Sequence, residues 1–311
     1  MAKTKQKLKV KYNSKGDFKM KKQNEQKKYL NIAMFGLLCF LIILSSCEDC
    51  GEKKDFFSLC QTGSAKEVSK AIKKGANVND KDKEGVTPLM KAKWNNDVEV
   101  IKTLIKAGAN VNDRDNNGAT PLIHFAWQNT NVEAIQALIE AGANIDYKDN
   151  DGRTPLMAAA SSNTAEVVKT LIKAGANVND RDSNGATPLI HFAWQNTNVE
   201  AIQALIQAGA NVNDKNNNGT TPLMAAASRN TAEVVKTLIE AGANVNDRDN
   251  NDLTPLMYAA RDNTNLEVVK SLIDAGANVN DSTKEGFSVI SFSSGNPNEE
   301  IRNYLIFLNV N

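Results

Sequence analysis

His124 and His191 are the chain's two histidines, and Cys39, Cys47, Cys50 and Cys60 are its four cysteines. Imidazole and thiolate chemistry is therefore confined to six positions. The histidines stand 67 residues apart in copies of one stretch, so they are duplicates rather than partners. That separation is too great for a shared metal or a proton relay, both of which need groups within bonding reach. No Ser, Cys or acid stands in a nucleophile arrangement beside them, so the expectation is no catalytic residue, no metal site and no cofactor. Asp113-Arg114-Asp115-Asn116-Asn117-Gly118 and Asp180-Arg181-Asp182-Ser183-Asn184-Gly185 open like calcium loops. Such a loop needs a bidentate acid at its twelfth position, and here His124 and His191 stand there. A tight turn asks for the same Asn, Asp and Gly, and that is the expected reading.

The formal net charge of +1 hides two opposed segments. Residues 1–46 carry 11 Lys against 2 acids, and residues 47–311 carry a net charge of −8. An acidic bulk is a poor match for nucleic acid. Lys3 to Lys28 is basic, and the next 18 residues, Tyr29 to Ser46, carry no charge. A basic region, an apolar stretch and small residues form the order of an export signal, and Met20 offers an alternative start. The stretch ends in Leu44-Ser45-Ser46-Cys47, which resembles the lipobox of a bacterial lipoprotein. That resemblance implies lipidation of Cys47 and a membrane-anchored chain in the cell envelope. A single-pass anchor is the alternative, because 18 residues lie near the lower limit for a span. Cys50 and Cys60 would remain after processing, either bridged or as free thiols.

Beyond this lead one unit repeats. Thr-Pro-Leu begins at Thr87, Thr120, Thr154, Thr187, Thr221 and Thr254, spaced alternately by 33 and 34 residues. The extra residue falls in the turn between the unit's two helices. Lys102–Ile139 and Lys169–Ile206 agree at 37 of 38 positions, so the true duplicated unit is 67 residues long. Within a unit, Thr120 caps a first helix and Pro121 fits its first turn. Val132, Ile135, Leu138 and Ile139 recur at helical steps in a second helix, which Gly142 ends. These units resemble the ankyrin repeat over about residues 54–311. The resemblance implies an all-α ankyrin-repeat solenoid: helix pairs joined by projecting β-hairpin loops, in about eight units with atypical ends. Residues 1–46 would be the signal and 47–53 a short tether. The His usual after Thr-Pro-Leu in that family is replaced by Met or Ile, and Asp252 replaces a hairpin Gly. At the exit end Ile290, Ile301, Leu305 and Ile306 match the apolar register, with Glu299, Glu300, Arg302 and Asn303 as polar cover.

Trp94, Trp127 and Trp194 are all the tryptophans of the chain and share one register near the end of the first helix. In the ankyrin family that register implies a concave, partner-facing surface, with Asn95, Gln128 and Gln195 in the adjoining register. Ser161, Ser228 and Arg261 occupy the tryptophan position in other units. Tryptophan is enriched at binding hot spots, yet Trp127 beside Ser161 equally suits large-against-small packing between units. Arg114, Arg181 and Arg248 at the hairpin tips are further candidates for contact. The reading expected overall is a monomeric, membrane-tethered scaffold that binds another protein without catalysis. A structural spacer of the envelope is the alternative, and an enzyme or metal protein ranks behind both.

Overall fold

A computed structural model describes residues 55–310 apart from 129, 162 and 163; Cys47, Cys50 and the whole lead, residues 1–54, lie outside the described residues. Residues Lys54–Asn311 form one compact unit. Eight helix pairs follow one another: α1 (Phe56–Thr62) with α2 (Ala65–Lys73), α3 (Pro88–Lys91) with α4 (Val98–Lys106), α5 (Pro121–Gln128) with α6 (Val132–Glu140), and α7 (Pro155–Ala158) with α8 (Ala165–Lys173). Then come α9 (Pro188–Gln195) with α10 (Val199–Gln207), α11 (Pro222–Arg229) with α12 (Ala232–Glu240), α13 (Pro255–Asp262) with α14 (Leu266–Asp274), and α15 (Val289–Ser293) with α16 (Glu299–Val310).

The sequence signals act where they stand. The Thr187 hydroxyl accepts the Ile190 amide at 3.4 Å, and Pro188 opens α9 without forfeiting a hydrogen bond. The second helices begin on polar caps such as Asn131, whose side chain accepts the Glu133 amide at 3.0 Å. They end as expected at Gly142, where φ is 87° and the Ala143 amide reaches back to the Leu138 carbonyl at 3.0 Å. Each pair buries Leu, Val, Ile and Ala against the pairs on either side. Leu89, Ile101, Leu122, Ile135, Leu189, Leu223 and Leu256 are fully buried. Alanines such as Ala226 and Ala259 let α11 and α13 approach closely. No pair could hide these surfaces alone, so stacking creates the core.

The loops correct one expectation. Among the described residues they contain no strand, only an isolated bridge between Ser282 and Ser288. One aspartate does the work of a ladder in five of the turns, and Asn216 does it in a sixth. Asp115 donates its amide to the Ala119 carbonyl at 3.1 Å, and its Oδ1 accepts the Asn117 and Ala119 amides at 2.9 and 2.8 Å. A carboxylate thus takes donors that a second strand rung would need. The only non-glycine residue with positive φ among those described is Asp252, at 62°. Its carboxylate accepts the Lys284 amide and lies 3.2 Å from the Lys284 ammonium, which helps hold a conformation that Asp tolerates better than most residues.

The exit unit corrects another. Ile301 and Leu305, one helical turn apart, are buried, whereas Ile306 is 48% exposed and Phe307 63% exposed. Ile306 therefore stands outside the buried stripe of Ile301 and Leu305, although adjacent pairs such as Val234 and Val235 are both buried in other second helices.

Candidate recognition surface

Stacking places the same register of each first helix beside its equivalent in the next unit. Trp94, at the end of a 3-10 turn that follows α3, is 44% exposed; Trp127 in α5 is 45% exposed and Trp194 in α9 is 37% exposed. Each indole thus keeps more than a third of its surface open. Ser161, between Trp127 and Trp194 in the row, is exposed and donates its hydroxyl to Gln195 Oε1 at 3.1 Å. Ser228, the next small residue, is buried and hydrogen-bonds to Asp262 at 3.2 Å.

Cations stand beside the indoles. The Lys93 ammonium lies 5.2 Å from the Trp94 ring centroid and 5.9 Å from that of Trp127, and the Arg229 guanidinium lies 6.0 Å from the Trp194 ring. These distances permit cation–π attraction. Arg261 covers Tyr258 at 4.9 Å and pairs with Asp262 at 2.8 Å. Gln128 and Gln195 are exposed next to their tryptophans.

Asn95 is a correction. It is buried, and its amide donates to the carbonyls of Cys60 and Gly63 at 3.1 and 2.8 Å. Asn196, Asn230, Asn263 and Asn296 do the same in later units, reaching carbonyls of the preceding unit. Asn95 therefore ties units together and faces no partner. Thr87 is eight residues from Asn95, whereas Thr187 is nine from Asn196, so counting forward from Thr aligned Asn95 with Gln128. Counting backward from Val98 and Val199 aligns it with Asn196, three residues before each second helix.

Each histidine is hydrogen-bonded to the aspartate of its own loop. His124 Nε2 lies 2.9 Å from Asp115 Oδ2, and its Nδ1 lies 3.0 Å from the Lys93 ammonium. A lysine can only donate, so Nδ1 accepts and the Nε2 proton is directed at Asp115. Burial lowers the His124 pKa, the Lys93 charge adds to this, and Asp115 opposes it without prevailing. His191 repeats the bond to Asp182 at 3.0 Å. Lys91 reaches Asp82 at 2.9 Å and Tyr258 reaches Asp249 at 2.8 Å from the same register. Side chains of three chemical types, Lys, His and Tyr, thus satisfy the turn aspartate from one register. Burial alone would raise the Asp115 carboxyl, but His124 and the turn amides outweigh it and hold the pKa below the usual carboxylate value. Both Asp115 oxygens thus have partners, one in the turn and one in the imidazole.

A family model described as "Ankyrin repeats (3 copies)" matches residues 32–149, 128–216 and 190–283. The chain belongs to the ankyrin-repeat family. No curated protein matches it.

In this ankyrin array the loop arginines do not project freely. Arg114 donates to the Gly118 carbonyl at 3.0 Å and to the Lys148 carbonyl of the next unit at 3.1 Å. Arg181 and Arg248 repeat this tie, adding ion pairs to Asp214 and Asp281 at 3.0 Å each. Their first role is therefore to join adjacent loops. Cys60 is a fully buried free thiol, and burial, with Asp55 adding, pushes its pKa up to about 12. It belongs to the core of the entry unit.

Proposed function

We propose that this ankyrin array recognises another protein through the first-helix row bearing Trp94, Trp127 and Trp194, without catalysis, and that Cys47 carries lipid that holds the array at a membrane of the bacterial envelope. Ankyrin repeats generally mediate protein–protein interaction. The observation that carries the reading is that all three tryptophans of the chain are 37–45% exposed in one register of the first helices. Large rigid apolar groups standing in water gain most from a partner that covers them. Gln128, Gln195 and Arg261 supply polar contacts beside them. The tether rests on Leu44-Ser45-Ser46-Cys47 at the end of the uncharged run, and acyl chains contribute about 0.8 kcal/mol per buried CH₂. Among the described residues no helix is long and apolar enough to cross a membrane.

Quantitative crosslinking in cells tests recognition. The wild-type chain should capture one partner at fixed stoichiometry, and the Trp94→Ser, Trp127→Ser, Trp194→Ser triple variant should lose it at equal abundance. Retention of that partner by the variant would reject the surface. No partner of fixed stoichiometry for the wild type would favour the spacer.

A further inference from the structure

The entry unit and its neighbour carry the opposite sign from the units that follow. Residues 55–106 hold ten Lys against seven acids, whereas residues 107–311 hold fourteen Lys and Arg against twenty-four acids. The excess is concentrated in α2 and its C-terminal cap, where Lys66, Lys70, Lys73 and Lys74 are all exposed. At about 100° per residue, these four fall within an arc of about 100°. The fully buried Val68 and the partly buried Ile72 lie on the opposite side of the helix. The lysines thus form one outward stripe.

Helix stability does not ask for that stripe. Lys66 stands where six later second helices carry Glu99, Glu133, Glu166, Glu200, Glu233 and Glu267 in their first turn. An acid there suits the helix dipole, and a cation opposes it. Lys74 stands where later units place alanine, as at Ala107 and Ala141.

Nor are the charges absorbed by neighbours. Lys102, Lys169 and Lys270 of later second helices are each paired with glutamate. Among the described residues, Lys66, Lys70, Lys73 and Lys74 have no such pair. The acids around them are engaged elsewhere. Glu67 accepts the Ser64 amide and hydroxyl at 2.8 and 2.9 Å. Asp97 accepts the Ala65 and Glu99 amides at 3.4 and 3.0 Å, and Glu99 holds Lys102 at 2.8 Å.

The stripe also belongs to the unit that follows the lead. Residues 48–54 separate Cys47 from Asp55, a chain length that spans at most about 28 Å. A bilayer that holds an acylated Cys47, or the apolar run before it, is therefore within reach of the entry unit.

We propose that the lysine stripe of α2 docks on the anionic phospholipid headgroups of the bilayer that holds the lead. The inference rests on the tether proposed above and adds a second, electrostatic attachment. Acyl chains fix where Cys47 sits but not which end of the array meets the headgroups. A basic patch at the entry unit supplies that choice, and the same surface repels the acidic units beyond it.

The test labels the full chain, reconstituted in vesicles, with an uncharged amine-acylating reagent and reads each lysine by mass spectrometry. The vesicles are phosphatidylcholine alone or phosphatidylcholine mixed with phosphatidylglycerol. In the mixed vesicles Lys66, Lys70, Lys73 and Lys74 should label at least about threefold more slowly, because an anionic surface attracts each nearby lysine. Lys173 and Lys236, exposed on later second helices, should keep their rates. The protection should vanish at about 1 M salt, where the screening length falls to about 3 Å. In a Lys66→Gln, Lys73→Gln chain, Lys70 and Lys74 remain as reporters and should lose most of their protection. Melting checks that this variant folds, and the comparison of the two lipid mixtures needs no variant. Equal labelling in both vesicles, protection indifferent to salt, full protection in the variant, or equal protection of Lys173 and Lys236 would overturn the inference. The tether fails separately. A chain that stays with neither vesicle removes the anchor and this contact together, whereas an anchored chain with freely labelled entry lysines removes the headgroup contact alone.

Discussion

The Lys93 ammonium donates to His124 Nδ1 across 3.0 Å, so one repeat fixes the tautomer of a buried imidazole in the next. The same lysine lies against Trp94 and Trp127. The core-side hydrogen bonds and the exposed indoles therefore meet in one side chain, and the shape of the recognition row depends on a neutral His124.

This relationship gives stability a pH dependence of defined sign. Burial lowers the folded pKa of His124 below its ordinary value of 6.5. The unfolded chain then binds more protons than the folded one as pH falls through about 6.5, so the contribution is full above that value and is lost on acidification. We expect the melting temperature to fall between about pH 7 and about pH 5, above the range in which carboxylates titrate. His124→Gln can accept from Lys93 and donate to Asp115, and it should flatten that fall by up to about 1.4 kcal/mol per pH unit. Calorimetric melting of both proteins across the range checks this, and equal slopes would count against a neutral buried imidazole.

The buried asparagines should matter more than their polarity suggests. Asn263 donates to the carbonyls of Ala227 and Asn230 at 2.9 and 3.1 Å and accepts the Asn265 amide at 2.9 Å. Asn263→Ala leaves those groups without this partner, at about 1–3 kcal/mol for each one that stays unsatisfied. Urea unfolding should show a loss of about 2–4 kcal/mol, whereas Asn117→Ala at an exposed loop position should stay within about 0.5 kcal/mol.

The sequence announced the helix pairs more clearly than their joints. Thr-Pro-Leu, the second-helix stripe and the terminal Gly each act within a few residues, so spacing reveals them. In four of the loops one aspartate serves both the turn and a side chain from the following helix, and that side chain is Lys91, His124, His191 or Tyr258. Such variation hides a shared role. Asn95 was misplaced because a missing residue before it shifted the count, and Ile306 because matching a register does not decide which neighbour faces the core. The tryptophan row was legible as a position, but its exposure needed the packed neighbours.

Cys60 provides a probe of the entry unit. It is fully buried with a pKa pushed up to about 12, so its thiolate is scarce and shielded. In a chain with Cys39, Cys47 and Cys50 replaced by Ser, a thiol reagent should label Cys60 only as the array opens. Labelling in native buffer should be at least about 100-fold slower than in denaturant, since opening a packed element costs several kcal/mol. Rapid native labelling would place Cys60 outside the core.

Lipid attachment is tested at one residue. Cys47→Ala should abolish labelled fatty-acid incorporation while leaving the melting of the array unchanged, because Cys47 precedes the compact unit that begins at Lys54. Incorporation by the variant would mean another acceptor. No incorporation by either protein would instead support an uncleaved membrane anchor.

The central claim is that the exposed indoles serve recognition, and Trp127→Ala tests it most directly, with melting temperature and affinity for the crosslinked partner measured on the same preparation. Trp127 is 45% exposed, so melting should be nearly unchanged while binding weakens by about 2 kcal/mol, the scale of an interface hot spot. A loss of about 3–5 kcal/mol in folding stability, with affinity falling only as the folded fraction falls, would contradict the account and make Trp127 a packing residue.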